Sequence, residues 1–92
     1  MRVLYTGPAA ADVVAILDRL AAQSAQGARE RLQDVEFLLA QFPNAGQLTR
    51  LPWLRLFAVL PYPYLVFYEA MSAEIIIHSV WHAARTPSDR PD

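Results

Sequence analysis

The spacing of apolar residues changes character once along this chain, at Phe42-Pro43-Asn44-Ala45-Gly46, and that change constrains the fold more than any other feature. Before it, apolar residues recur at helical intervals; after it, they come in short runs rich in β-branched and aromatic residues. Pro43 cannot continue a helix, and Asn44 and Gly46 suit a turn, so the two regimes meet at a firm boundary. A chain of 92 residues holds one hydrophobic core. Helices and strands must therefore pack on each other in a single α+β domain, predicted over residues 1–86, with a polar, Pro-containing tail over 87–92.

On the helical side, Val13, Ile16, Leu17, Leu20 and Ala21 share one face of a helix predicted over 8–23, with Asp12, Asp18 and Arg19 on the other. Pro8 fits the first turn. Residues 24–27 read as a short break with Ser24 as N-cap. Ala28, Leu32, Val35, Leu39 and Phe42 then mark a second helix with a heptad-like seam, and the two helices are expected to form an antiparallel hairpin. Ahead of them, residues 1–6 are β-prone and stop at Gly7-Pro8, which predicts a short N-terminal strand.

On the strand side, three runs are predicted over 53–60, 64–70 and 74–82. Pro61-Tyr62-Pro63 and Met71-Ser72-Ala73 join them, connections too short for the crossover of about a dozen residues that parallel strands need. A three-stranded antiparallel sheet follows. Its strands are apolar on both faces, as in Tyr64-Leu65-Val66-Phe67-Tyr68 and Ile75-Ile76-Ile77. The hairpin can cover one face. The other is expected to need a cover from outside the chain, and an apolar fraction of 54% points the same way, to a bound protein partner.

Other classes are excluded by what the sequence lacks. There is no cysteine, hence no disulfide framework and no Cys-ligated metal. No run reaches the ~18 apolar residues of a membrane helix, and the N-terminus has no long apolar segment of a signal peptide, so a cytoplasmic protein with no membrane partner is expected. A net charge of −1, with all eight basic residues Arg, gives no overall pull toward nucleic acid. His78 and His82 are four apart, but on a strand rising ~3.3 Å per residue they stand ~13 Å from each other, too far to share an ion. No metal and no cofactor are predicted. Glu69 and Glu74, flanking a tight hairpin turn, are expected to be solvated. Trp53, Phe57, Trp81 and Tyr62, Tyr64 and Tyr68 lack an interleaved basic stripe, which favours packing and partner contact over base stacking. Three glycines leave no phosphate loop or nucleophile elbow.

The order of specific words is more informative than any one of them: Ala11-Asp12, then Phe42-Pro43-Asn44-Ala45-Gly46, Leu54-Arg55, residues 62–68 and residues 77–85. Over about residues 2 to 86 this order resembles the RelE/ParE superfamily of type II toxin–antitoxin toxins, and the ParE branch in particular. The resemblance implies a toxin held by a cognate ParD-like antitoxin, with DNA reached only through that antitoxin. It also implies that the free toxin inhibits DNA gyrase, as ParE-like toxins do. The other branch, RelE, implies ribosome-dependent cleavage of messenger RNA. A degenerate toxin serving mainly as co-repressor with its antitoxin is a further alternative.

The RelE chemistry needs a base for the 2′-hydroxyl, cations for the charged phosphorane and an acid for the leaving oxygen. Carried onto this chain, one member of the family's basic pair is Arg55 and the other is Phe57. A further Arg is replaced by Tyr64, another basic position is Ala83 beside Arg85, and the C-terminal Tyr has no counterpart. A reduced nuclease would have to use Arg55, His82 and Arg85. The balance favours a binding toxin over an enzyme, with Arg50, Arg55, Trp81, His82 and Arg85 as target-binding residues. Two departures weaken the expected cationic face: Gly46-Gln47 where Gly-Arg is common, and Ala9 where a basic residue is frequent.

Overall fold

A computed structural model describes residues 1–85; the predicted tail at 87–92 lies outside them. The elements run β1 (Arg2–Tyr5), α1 (Gly7–Asp18), α2 (Ala22–Gln41), β2 (Gln47–Leu48), β3 (Arg55–Ala58), β4 (Tyr64–Ala70) and β5 (Glu74–His82). The sheet has five strands in the order β1-β5-β4-β3-β2. The three predicted C-terminal strands form its antiparallel centre, the predicted N-terminal strand β1 lies at one edge, and the short β2, not expected from sequence, lies at the other. β1 pairs in parallel with β5, Arg2 opposite Glu74 through Tyr5 opposite Ile77, because the two helices supply the long crossover that a parallel pair requires.

The helix boundaries differ from expectation. α1 stops at Asp18 and α2 starts at Ala22, so Ser24 lies inside α2 and caps nothing; the N-cap position is Ala21, without a side-chain bond. The break falls at 19–21, where the helical pattern of Leu20 and Ala21 concealed it. At the start of α1 the cap is Thr6, whose hydroxyl oxygen accepts from the Ala9 amide at 3.1 Å. The same hydroxyl donates to the His78 carbonyl at 3.2 Å, tying the helix start to β5.

The core lies between the helices and one face of the sheet. Ala9, Val35, Leu39, Val59, Val66, Tyr68, Ile75, Ile77 and Val80 are buried together. Phe42, predicted to extend the α2 seam, is instead 62% exposed, since the helix ends one residue before it. Ala9 is fully buried, so in this chain the position packs the core rather than presenting a cation.

The second face of the sheet is not left wholly to a partner. Leu54 and Phe67 are fully buried yet stand outside the main core cluster. Leu54 precedes Arg55, which is paired with core-facing Tyr68, so strand alternation turns Leu54 to the outer face. The loop 49–54 folds back over that face, pinned by Thr49, whose hydroxyl bonds the Leu51 amide and the Leu54 carbonyl. Trp53 lies edge-on to His78 at 5.2 Å. The chain thus supplies part of the cover that was expected from a partner.

A β-bulge marks this face. Phe67 pairs with Ser79 and Tyr68 with Ile77, leaving His78 as the extra residue of β5. The bulge aims the His78 ring at Glu69, Nε2 to Oε1 at 3.0 Å, so Glu69 is paired rather than simply solvated. Glu74 is likewise engaged, by Arg2 at 3.2 Å across the β1–β5 pair.

Candidate functional site

The five residues singled out from sequence divide into two groups at opposite ends of the sheet. Arg55 pairs with Tyr68 and shares the helix-facing side, whereas Trp81 pairs with Leu65 and meets Phe67 ring to ring at 5.8 Å on the outer side. Three residues of rise and two strand spacings put the Arg55 and Trp81 backbones ~14 Å apart. The structure does not bring Arg55 together with His82 and Arg85.

Arg55 is committed to the turn that ends α2. Its guanidinium Nη1 donates to the Gly46 carbonyl at 2.9 Å and to the Asn44 carbonyl at 3.3 Å. The buried Tyr68 hydroxyl completes the lock, accepting from the Gly46 amide at 2.8 Å and donating to the Pro43 carbonyl at 2.7 Å. Burial raises the Tyr68 pKa above the ordinary phenol value, with the Gly46 amide and the Arg55 charge pulling the other way. A Cβ on Gly46 would stand 2.5 Å from the Tyr68 hydroxyl and 2.6 Å from its ring, so this position accepts only glycine without a shift. The turn is therefore specified by Gly46, Arg55 and Tyr68 together. Arg50 is exposed, on the pinned loop 49–54.

Trp81, His82 and Arg85 do assemble. They line a cleft of about 400 Å³ with Val80 from β5, with Asp12, Ala15 and Ile16 from α1 and with Arg19 just past the end of that helix. The Arg85 guanidinium lies 3.4 Å from the centre of the Trp81 ring. His82 stands edge-on to Tyr64 at 5.7 Å, and its Nδ1 accepts from the Ala84 amide at 3.0 Å. An acceptor at Nδ1 places the neutral ring's proton on Nε2, so His82 is set as a hydrogen-bond donor.

Sequence reasoning missed two members of this cleft. Asp12 looked like a solvated residue on the polar face of α1, yet its Oδ2 accepts from the Val80 amide at 3.0 Å. That bond takes up a strand donor left over where β1 ends, and the word Ala11-Asp12 was the available signal. Arg19 was placed on the same polar face; only the fold shows that this face looks toward the end of β5.

A second groove runs between the helices. It holds about 310 Å³ and is lined by Tyr5, Ala10, Val13, Leu17 and Leu32, with Arg29, Gln33 and Glu36 at its polar side. The Tyr5 hydroxyl donates to Glu36 Oε2 at 2.6 Å. Burial, then the bond and charge of Glu36, push the Tyr5 phenol far above its ordinary range.

The sequence matches a model of the ParE toxin of type II toxin–antitoxin systems, parDE, over residues 3–87. The chain belongs to the ParE toxin family. Among solved structures it is similar to the chromosomal ParDE toxin–antitoxin system from P. aeruginosa, with a TM-score of 0.74 at 23% identity, covering 89% of this chain and 95% of that one. It is also similar to the isolated E. coli RelE toxin, with a TM-score of 0.60 at 14% identity, covering 95% of this chain and 88% of that one. At these identities the structural matches speak for the fold, α+β of the RelE/ParE kind. None of the individually curated proteins is significantly similar in sequence. As a ParE-family toxin the chain is one half of a toxin–antitoxin pair, and no helix among its described residues is long and apolar enough to cross a membrane.

Proposed function

We propose that this ParE-family chain is a cytoplasmic toxin that acts by binding, that a ParD-like antitoxin neutralises it, and that DNA gyrase is its target when free. The observation that carries the binding mode is the bond made by His82. Its Nδ1 accepts from the Ala84 amide, and that bond must break before this nitrogen can take a proton. Arg55, the cation a nuclease would need beside it, pairs with Tyr68 whereas His82 pairs with Tyr64, which puts their backbones ~16 Å apart, and it is spent on two carbonyls. Target recognition then belongs to the cleft around Trp81, His82 and Arg85, with Arg50 on the exposed loop a separate contact.

The antitoxin is proposed to use apolar surface elsewhere. The inter-helix groove suits the apolar face of an amphipathic helix, with Arg29 and Glu36 to fix its register. Leu48 on the edge strand β2 is 63% exposed and Phe37 on α2 is 70% exposed, surface that a wrapping segment would cover.

The test is to express the chain alone under tight control and to follow plasmid supercoiling, gyrase-linked DNA breaks and messenger RNA integrity together. Broken DNA with intact messages is the expected result. Codon-phased message cleavage with normal supercoiling would overturn it, and antitoxin binding without growth arrest would mark a co-repressor.

A further inference from the structure

We infer that the cleft between α1 and the end of β5 receives a short, extended, acidic segment of a partner protein, laid against the free edge of β5. The first support is the strand edge itself. β1 covers β5 only as far as Ile77, where the Thr6 amide donates to the Ile77 carbonyl at 3.0 Å. β5 continues to His82. On that side Thr6 takes the His78 carbonyl and Asp12 takes the Val80 amide. Strand alternation turns the Val80 carbonyl and the His82 amide in the same direction, toward the cleft and away from β4. One acceptor and one donor two residues apart are what an extended backbone needs to dock in line with β1.

The second support is charge. Arg19, Arg85 and the His82 Nε2–H line the cleft as donors, and the one carboxylate there, Asp12, is already bonded to Val80. Among the described residues neither Arg19 nor Arg85 has a carboxylate partner. Ala15, Ile16 and Val80 give the cleft an apolar lining, which suits a segment that alternates acidic and apolar side chains better than a lone anion. The inference deepens the target-binding reading of this cleft and rests on it for the partner being a protein, but not for that protein being gyrase.

The two tryptophans make the test internal to one molecule, because Trp81 lines the cleft and Trp53 lies on the loop over His78. The full chain, labelled with ¹⁵N, is titrated with an acetylated and amidated octapeptide of alternating Glu and Val. Its Gln–Val counterpart and inorganic phosphate are titrated separately. The expected result is a shift of the Trp81 indole N–H with Trp53 unmoved. Affinity should fall about tenfold on replacing Glu by Gln in the peptide, and a similar amount in Arg19→Gln or Arg85→Gln, the usual scale for a charge-assisted hydrogen bond. Equal affinity for the Gln peptide, movement of Trp53 instead, or phosphate displacing the peptide at equal concentration would each overturn it. Loss of gyrase poisoning in cells with peptide binding intact would sink the target and leave this inference standing; the reverse outcome would sink this inference alone.

Discussion

Arg55 and Arg85 stand at opposite ends of one sheet, and their guanidinium groups are put to opposite uses. Arg55 is turned inward to two carbonyls of the turn after α2, in a knot with Tyr68 and Gly46. Arg85 lies over Trp81 on the rim of a cleft. A cation held by backbone carbonyls is part of the scaffold, whereas a cation resting on an aromatic ring keeps its N–H groups for a ligand. The same residue type is thus bound into the scaffold at one end of the sheet and left available at the rim of a cleft at the other.

The sharpest way to break that contrast is to disturb the knot. Gly46→Ala forces a methyl group into the Tyr68 ring and hydroxyl, and overpacking of this kind costs about 1–3 kcal/mol. Chemical denaturation followed by tryptophan fluorescence should show a lower midpoint with an unchanged slope. An unchanged midpoint would mean that the turn is looser than its hydrogen bonds imply.

Arg55→Met is expected to cost less, about 1 kcal/mol, because the donor it removes from the Gly46 and Asn44 carbonyls sits in a partly exposed site. Its toxicity should fall only as far as the folded fraction falls, so growth arrest normalised to folded protein stays constant. A selective loss of toxicity at full stability would move Arg55 back among the target-binding residues.

Arg85→Gln should give the mirror image. Its stability should stay within about 0.5 kcal/mol of the parent, as for surface positions outside a hydrogen-bonded network. Gyrase-linked DNA breakage, assayed with purified protein, should drop severalfold. Equal breakage would place target recognition elsewhere, with Arg50 the first position to test.

These contrasts also show what was legible before the fold was known. The boundary at residues 42–46 and the two long strands at 64–70 and 74–82 could be read because turn chemistry and β-rich composition are local signals. β1 could be read as a strand, but its parallel place beside β5 depends on a crossover more than sixty residues long in sequence terms, which no local pattern records. The same limit governed the site. Trp81, His82 and Arg85 are neighbours in sequence and stayed together. Arg55 was grouped with them by family position alone, and Asp12 and Arg19 were lost among the polar residues of α1, because which way a helix's polar face looks is settled by packing.

The smallest effect expected concerns pH, and it too separates the two ends. The phenols of Tyr5 and Tyr68 are both raised, chiefly by burial, and neither lines the cleft. A raised acid holds its proton in the folded state while the unfolded phenol ionises near its ordinary value of about 10. The stability linked to these groups is therefore complete below that value and is lost as pH climbs from it toward the folded pKa. Denaturation midpoints measured from pH 9 upward should decline in the parent chain, and the decline should be shallower in Tyr68→Phe after allowing for that variant's lower starting stability. Arg85→Gln should follow the parent slope, since its change lies at the other end of the sheet. If Arg85→Gln altered the slope as much as Tyr68→Phe, the knot and the cleft would be electrostatically coupled, and the division of labour between the two arginines would have to be abandoned.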